Sequence, residues 1–252
     1  MIHSPPLLEI SSVSRRFPGQ STAALEEVSF SVRKGECLVI SGANGSGKSV
    51  LMHIIAGLDA PTTGTIEHPS TGGKALRIGL VFQDADAQIL GDTPLEDAAW
   101  GPRNKGASKA EAETKARTAL YIAGLAGKEL HPARTLSGGE KRRLAVAGIL
   151  AMEAELIIFD EPFANLDWPG VVQVNSIISE LLHNGTTLII LTHELEKVLG
   201  LANRLIILFQ GRLVFDGLPE TALSGTRLEQ WGIRNPLRSY SSVRDLVWTA
   251  DT

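Results

Sequence analysis

The octapeptide Gly42-Ala43-Asn44-Gly45-Ser46-Gly47-Lys48-Ser49 constrains this chain more than any other stretch. It satisfies the phosphate-loop pattern G-x-x-x-x-G-K-[ST]. Before it, the apolar residues 37–40 read as a buried strand; after it, residues 50–56 contain no Gly or Pro and can continue as a helix. Three glycines let the backbone curl so that successive N–H groups face inward and approach phosphate oxygens without Cβ interference. The helix adds its positive end, Lys48 reaches the outer phosphates, and the Ser49 hydroxyl can ligate Mg²⁺. By chance the pattern would occur in a chain this long on the order of one time in a hundred, and its strand–helix context lowers that further. The eight residues are expected to hold a nucleoside triphosphate.

Bulk properties narrow the remaining classes. The 252 residues suit one large α/β domain, or a core with a subdomain. A net charge of −4 argues against a nucleic-acid partner, which needs a basic surface to release counterions. The single cysteine, Cys37, excludes an intramolecular disulfide and reads as a small core residue in the strand before the loop. Residues 1–6 have neither the basic nor the apolar region of a signal peptide, and the longest apolar runs, such as 188–191, are strand-sized. The chain is expected to be soluble on its own.

Residues 8–13 and 28–32 alternate apolar and polar side chains, the period of half-buried strands, and a turn at 17–20 lies between them. An antiparallel β lobe is expected there. Phe17, just past the first strand, has two equal readings: a sheet-edge core residue or a platform for a purine ring. Residues 61–64 read as a turn and 78–82 as a buried strand ending at Gln83. From 84 to 152 the composition turns to Ala, Glu, Lys and Leu and predicts helices, one starting at Ser108 with a capping box to Glu111 and stopping near Gly124.

Leu136-Ser137-Gly138-Gly139-Glu140 opens the next helix. Capping accounts for Ser137 and Glu140, but two first-turn glycines weaken a helix by about 1 kcal/mol each relative to Ala. A helix that gives up stability at its positive end is suited to receive an anion there. Lys141, Arg142 and Arg143 follow as a solvated face. Residues 156–161, Leu-Ile-Ile-Phe-Asp-Glu, are a continuous apolar strand ending in two carboxylates, the pattern of a parallel sheet with ligands beyond its carboxyl ends. Asp160 is placed to hold Mg²⁺ and Glu161 to polarise a water molecule. The strand 187–191 ends similarly at Thr192 and His193, and 205–208 with 213–215, joined through Gly211, look like a closing hairpin. The tail from Leu228 is expected to dock back on the core.

Taken in order, GANGSGKS at 42–49, Gln83 after a strand, LSGGE at 136–140, LIIFDE at 156–161, Asn165-Leu166-Asp167 and Thr192-His193 resemble an ABC-type ATPase subunit over nearly the whole chain. The resemblance implies an α/β phosphate-loop ATPase core with an antiparallel β lobe and an inserted helical subdomain at about 84–153. The ATP-binding domain would cover 1–238, with a tail at 239–252. It also implies two subunits paired head to tail, identical or close paralogues, with ATP between the phosphate loop of one and Ser137, Gly138 and Gly139 of the other. Phe17 would stack on adenine; Glu161, His193 and Gln83 would serve hydrolysis; Ser49, Gln83 and Asp160 would hold Mg²⁺. The segment 83–102 is similar to the energy-coupling-factor branch, importers of vitamins and of cobalt or nickel ions. Such a subunit would sit on the cytoplasmic face of the membrane beside membrane-embedded coupling and solute-binding subunits, with no nucleic acid. An ATPase with a regulatory or assembly role is the alternative. The apolar Ile89, Leu90, Leu95 and Trp100 with the acidic Asp92, Glu96 and Asp97 would receive short basic helices of the membrane subunit.

Overall fold

The computed structural model describes residues 5–71, 75–82, 84, 86–225 and 228–238. Gln83 and the tail 239–252 lie outside the described residues. In chain order the elements are β1 (Leu8–Arg15), β2 (Leu25–Val32), β3 (Cys37–Ser41), α1 (Lys48–Ile55), β4 (Thr63–Glu67), β5 (Ile78–Val81), α2 (Pro94–Asn104) and α3 (Lys109–Ile122). They continue with α4 (Gly138–Ala151), β6 (Leu156–Asp160), α5 (Trp168–His183), β7 (Thr187–Leu191), β8 (Arg204–Phe209), β9 (Arg212–Gly217) and α6 (Pro219–Gly225).

The central sheet runs β5-β6-β7-β3-β8-β9, parallel except for the antiparallel edge strand β9. Its inner strands β6, β7, β3 and β8 are apolar almost throughout because both faces are covered, whereas the edge strands β5 and β9 are only partly buried. Val39, Ile157, Phe159, Ile190 and Ile207 face one core with α4 and α5. Leu38, Ile40, Ile158, Leu191 and Leu208 face a second core with α1 and the β lobe. That lobe is antiparallel, ordered β2-β1-β4, with Ile10 opposite Phe30 on one side and Ile66 on the other. The expected turn at 61–64 is shorter than read, since Thr63 and Gly64 already belong to β4. β4 exposes nearly every side chain and so carries no apolar alternation to announce it.

Helices α2, α3 and α4 share a separate core built on small side chains, among them Ala98, Ala99, Ala112, Ala116 and Ala147. Alanine at these positions lets the helices approach closely without loss of helix propensity. Ser108 caps α3 by accepting from the Glu111 N–H (3.3 Å), while the Glu111 carboxylate pairs with Lys115 (3.7 Å). At α4 both halves of the capping box form: Ser137 N–H donates to Glu140 Oε2 (2.8 Å), and Ser137 Oγ accepts from Glu140 N–H (3.3 Å). Lys141, Arg142 and Arg143 are not a solvated face. Arg142 is buried and its neighbours half-buried, because α4 packs against α2 and α3 on one side and β5 on the other.

Candidate functional site

The phosphate loop leaves the carboxyl end of β3, in the middle of the sheet. Its geometry requires glycine at both ends. A Cβ on Gly42 (φ +156°) would stand 2.2 Å from the Leu208 carbonyl oxygen, and one on Gly47 (φ +104°) 2.6 Å from that of Ala24. The loop is also tied to the closing hairpin, since Gly211 N–H donates to Ser46 O (3.1 Å). Lys48 is buried and folds back into the loop, donating to Gly42 O (2.7 Å) and Ala43 O (3.3 Å). Burial pulls its pKa down, against the pull of Glu161 and Asp160. A buried ammonium held by carbonyls is prepared for an anion. The Ser46 hydroxyl is buried with no hydrogen-bond partner. Ser49 is exposed on the first turn of α1, and Ala43, Asn44 and Gly45 form the outer curve.

Strand order brings the carboxylates to this loop. Asp160 pairs in register with Leu191, and Leu191 with Ile40, so the ends of β6, β7 and β3 lie side by side. Burial raises the Asp160 pKa, as does the Glu161 charge, while Lys48 and His53 oppose the rise. Glu161 adopts φ +46°, a left-handed conformation that costs a non-glycine residue on the order of 1 kcal/mol. Its N–H is anchored to Leu191 O (2.9 Å). That bend aims its carboxylate inward: Oε1 lies 3.0 Å from His193 Nδ1 and 4.0 Å from Lys48 Nζ, and His193 N–H donates to Oε2 (3.4 Å). Lys48, Glu161 and His193 thus form one cluster, with Asp160 beside it.

Ser137, Gly138 and Gly139 start α4, whose main packing is on α2 and α3 rather than on the loop. The two glycines differ. A Cβ on Gly139 would fall 2.1 Å from Gln173 Oε1 of α5, whereas one on Gly138 meets nothing within 4 Å. The chain itself accounts for Gly139; Gly138 faces open space. Phe17 is half-buried and stands outside the hydrophobic clusters, which removes the sheet-edge core reading. The Arg15 guanidinium lies 4.8 Å from its ring centroid, and the loop it belongs to ends at Ala24, against Gly47.

The acidic surface expected on α2 is corrected in part. Asp97 Oδ1 accepts the Leu90 (2.7 Å) and Gly91 (2.9 Å) N–H groups, so this carboxylate clasps a turn instead of facing outward. Leu95 is buried in the helical core and Ile89 packs against it, while Leu90 and Trp100 are exposed. Sequence reasoning read Gly211 only as a hairpin joint and passed over Ala24 and Gln173, although all three shape the loop or the α4 start from distant segments. No local pattern announces such contacts.

The donors fit the ligands expected of them. A cradle that excludes Cβ atoms, a buried unpartnered hydroxyl and a desolvated ammonium suit a triphosphate. Among the described residues no group of three or more His, Cys, Asp or Glu could hold a metal. Ser49 and Asp160 offer a hydroxyl and a carboxylate, oxygen donors of the kind that Mg²⁺ takes when phosphates complete its shell.

A phosphate loop on the central strand, a carboxylate pair at the end of β6 and a helix beginning Ser-Gly-Gly define the class as a phosphate-loop ATPase. The ABC transporter family profile matches residues 25–164, more than half of the chain. The cobalt import ATP-binding protein CbiO of Rhodobacter capsulatus is 37% identical over 245 residues, 92% of this chain and 86% of that one. An energy-coupling factor transporter ATP-binding protein, EcfA2 of Methanospirillum hungatei, is 38% identical over 232 residues; these are 88% of this chain but only 58% of that protein. Among solved structures, cbiO1 from Clostridium perfringens, part of the transporter complex cbiONQ, matches with TM-score 0.80 at 28% identity, covering 87% of this chain and 91% of that one. An ATP-binding cassette solved as a dimer in a post-hydrolysis state with ADP and Pi matches with TM-score 0.70 at 26% identity, covering 84% and 98%. The chain belongs to the ABC transporter family and is an ATP hydrolase of that family.

Proposed function

We propose that this chain is the ATPase subunit of an energy-coupling-factor importer, driving uptake of a vitamin or of a transition-metal ion such as cobalt or nickel through separate membrane subunits. The ATP-binding domain is read as 1–238 with its helical subdomain at about 84–153. The observation that carries the functional reading is the pairing of a complete phosphate site with an α4 start whose Gly138 faces open space. Within one chain that second anion site has no phosphate, so its occupant is the γ-phosphate held by a second copy or a close paralogue.

In this reading Lys48 and the loop N–H groups bind the phosphates, and Phe17 stacks on adenine. Ser49 and Asp160 hold Mg²⁺ with Gln83, and the bound ion would offset phosphate charge. Glu161 accepts the proton of the water whose oxygen attacks the γ-phosphorus as the bond to the β–γ bridging oxygen breaks, giving ADP and phosphate. His193 steers Glu161 from 3.0 Å away. Loss of the bridging γ-phosphate then opens the pair.

A groove of about 810 Å³ supports the membrane-subunit reading. It lies between the segment before α2 and the segment before α4, with Leu90, Asp92, Leu130 and Arg134 in its walls, and both leucines are exposed. No helix among the described residues is long and apolar enough to cross a membrane; in this reading the groove is where a membrane subunit would attach. The test is uptake of labelled cobalt, nickel and vitamins by cells whose only copy carries Glu161→Gln. Loss of uptake of one solute is the expected result. Unchanged uptake of all of them, with the wild-type chain hydrolysing ATP normally, would favour a regulatory or assembly role.

A further inference from the structure

Phe17 has no hydroxyl with which to fix its ring by a hydrogen bond. It is half-buried and belongs to none of the hydrophobic clusters, so core packing does not fix it either. What lies on it is a cation. The Arg15 guanidinium stands 4.8 Å from the ring centroid, within the range of a cation–π contact. Arg15 Nε is buried and makes no hydrogen bond among the described residues, as suits a guanidinium laid against a ring. Its Nη2 pairs with Asp59 Oδ1 (2.8 Å), and the two side chains are only 22% and 29% exposed, so solvent screens the pair less than at an open surface. Asp59 is tied in turn to the helix that starts at the phosphate loop. Its Oδ1 also accepts from Ala60 N–H (2.8 Å), and its own N–H donates to the carbonyl of His53, in the last turn of α1 (3.2 Å). The first residue of α1 is Lys48. The backbone around Arg15 is held as well: Arg15 O accepts from Ala24 N–H (2.8 Å), and Arg16 N–H donates to Thr62 Oγ1 (3.0 Å).

We infer that Arg15 is a positioning residue for the nucleotide base: ion-paired to Asp59 beyond the end of α1, it holds the Phe17 ring in place for adenine and so favours purine nucleotides. The inference rests on the adenine platform of the proposed function and adds the residue that orients it. With one face of the ring under the guanidinium, adenine takes the other. A ring already held in place loses less freedom when a base stacks on it. The ion pair with Asp59 keeps the guanidinium at the ring, so its effect runs through the base and not through the triphosphate. A purine covers more of the ring than a pyrimidine does, and the effect therefore falls harder on ATP than on CTP.

The experiment uses the full chain carrying Glu161→Gln, so that nucleotide persists, and titrates it with ATP, CTP and inorganic tripolyphosphate in the presence of Mg²⁺. Adding Arg15→Gln is expected to weaken ATP binding about 3–10-fold and CTP binding less, with the affinity for tripolyphosphate unchanged. In a Phe17→Ala background the same substitution should have no further effect, because the ring through which Arg15 acts is gone. Three results would overturn the inference: ATP affinity unchanged in Arg15→Gln, an equal loss for ATP and tripolyphosphate, or an undiminished loss without the Phe17 ring. In each of these cases Phe17→Ala, by weakening ATP relative to tripolyphosphate, would still support the adenine platform. If Phe17→Ala does not weaken ATP relative to tripolyphosphate, the platform and its positioning residue fall together.

Discussion

The phosphate loop and the start of α4 are both glycine-rich helix openings, yet their glycines answer to different constraints. Gly42 and Gly47 are enclosed by carbonyl oxygens of the same chain, and any side chain there collides with backbone. A Cβ on Gly138 would meet nothing within 4 Å, whereas one on Gly139 would meet the tip of a flexible glutamine. The first opening is shaped from within and needs only a ligand. The second is left open: no contact within the described residues requires glycine at 138.

The largest effects should fall on the loop and its cluster. Lys48→Ala removes the buried ammonium folded into the phosphate loop, and tight MgATP binding should be lost in an equilibrium titration. Glu161→Gln should keep ATP binding but lower the hydrolysis rate ~10²–10⁴-fold. A wild-type rate would move the base elsewhere, with His193 next in line.

The glycines themselves break or sharpen the contrast. Gly47→Ala should destabilise the fold by about 2–3 kcal/mol, since its Cβ meets a backbone carbonyl at 2.6 Å. Gly138→Ala should leave the melting temperature and ATP affinity of the monomer nearly untouched and still impair steady-state hydrolysis. Equal destabilisation by both would erase the distinction between a glycine required by the chain and one required by a partner. Ser137→Arg mixed with Lys48→Ala carries the same logic into a pair. Each mixed dimer should recover at most one competent site, and full activity from either variant alone would refute a shared site.

How much of this was legible depended on whether the cause was local. β3, β6 and β7 could be read because strands covered on both faces are apolar throughout, and the loop could be read because its pattern is a backbone requirement. β4 could not, because an exposed edge strand has no apolar face. The left-handed bend at Glu161 leaves no trace in composition, and Gly139 looked like its neighbour until Gln173 arrived from another helix. Asp97 misled for a similar reason. Beside Asp92 and Glu96 it reads as a surface acid, but the turn it clasps is formed by residues that fold back on it.

Asp97 therefore separates stability from docking. Asp97→Ala leaves the Leu90 and Gly91 N–H groups without their acceptor and should cost about 1–3 kcal/mol in a denaturant titration. Asp92→Lys with Glu96→Lys, both exposed, should leave stability within about 0.5 kcal/mol and weaken recovery of the membrane subunits. If the Asp97 variant is as stable as wild type, the clasp contributes nothing to the groove.

The smallest effect should lie in the capping box that presents Gly138. Glu140 is held to a pKa of about 2, below its ordinary 4.5, first by its bond with Lys128 and then by the Ser137 N–H. A carboxyl depressed in the folded state stabilises the fold fully above its unfolded value, and loses that contribution as pH falls from about 4.5 toward 2. Glu140→Gln can still accept from Ser137 N–H but cannot pair with Lys128 as an ion. The pair is partly solvated, so near neutral pH the variant should melt only about 1–2 °C below wild type. That gap should hold down to about pH 5 and close as the pH is lowered further, because the wild-type carboxyl is then protonated as well. A gap independent of pH would mean that the box holds α4 by shape alone, and that the charge on Glu140 has no part in keeping the bare glycine in place.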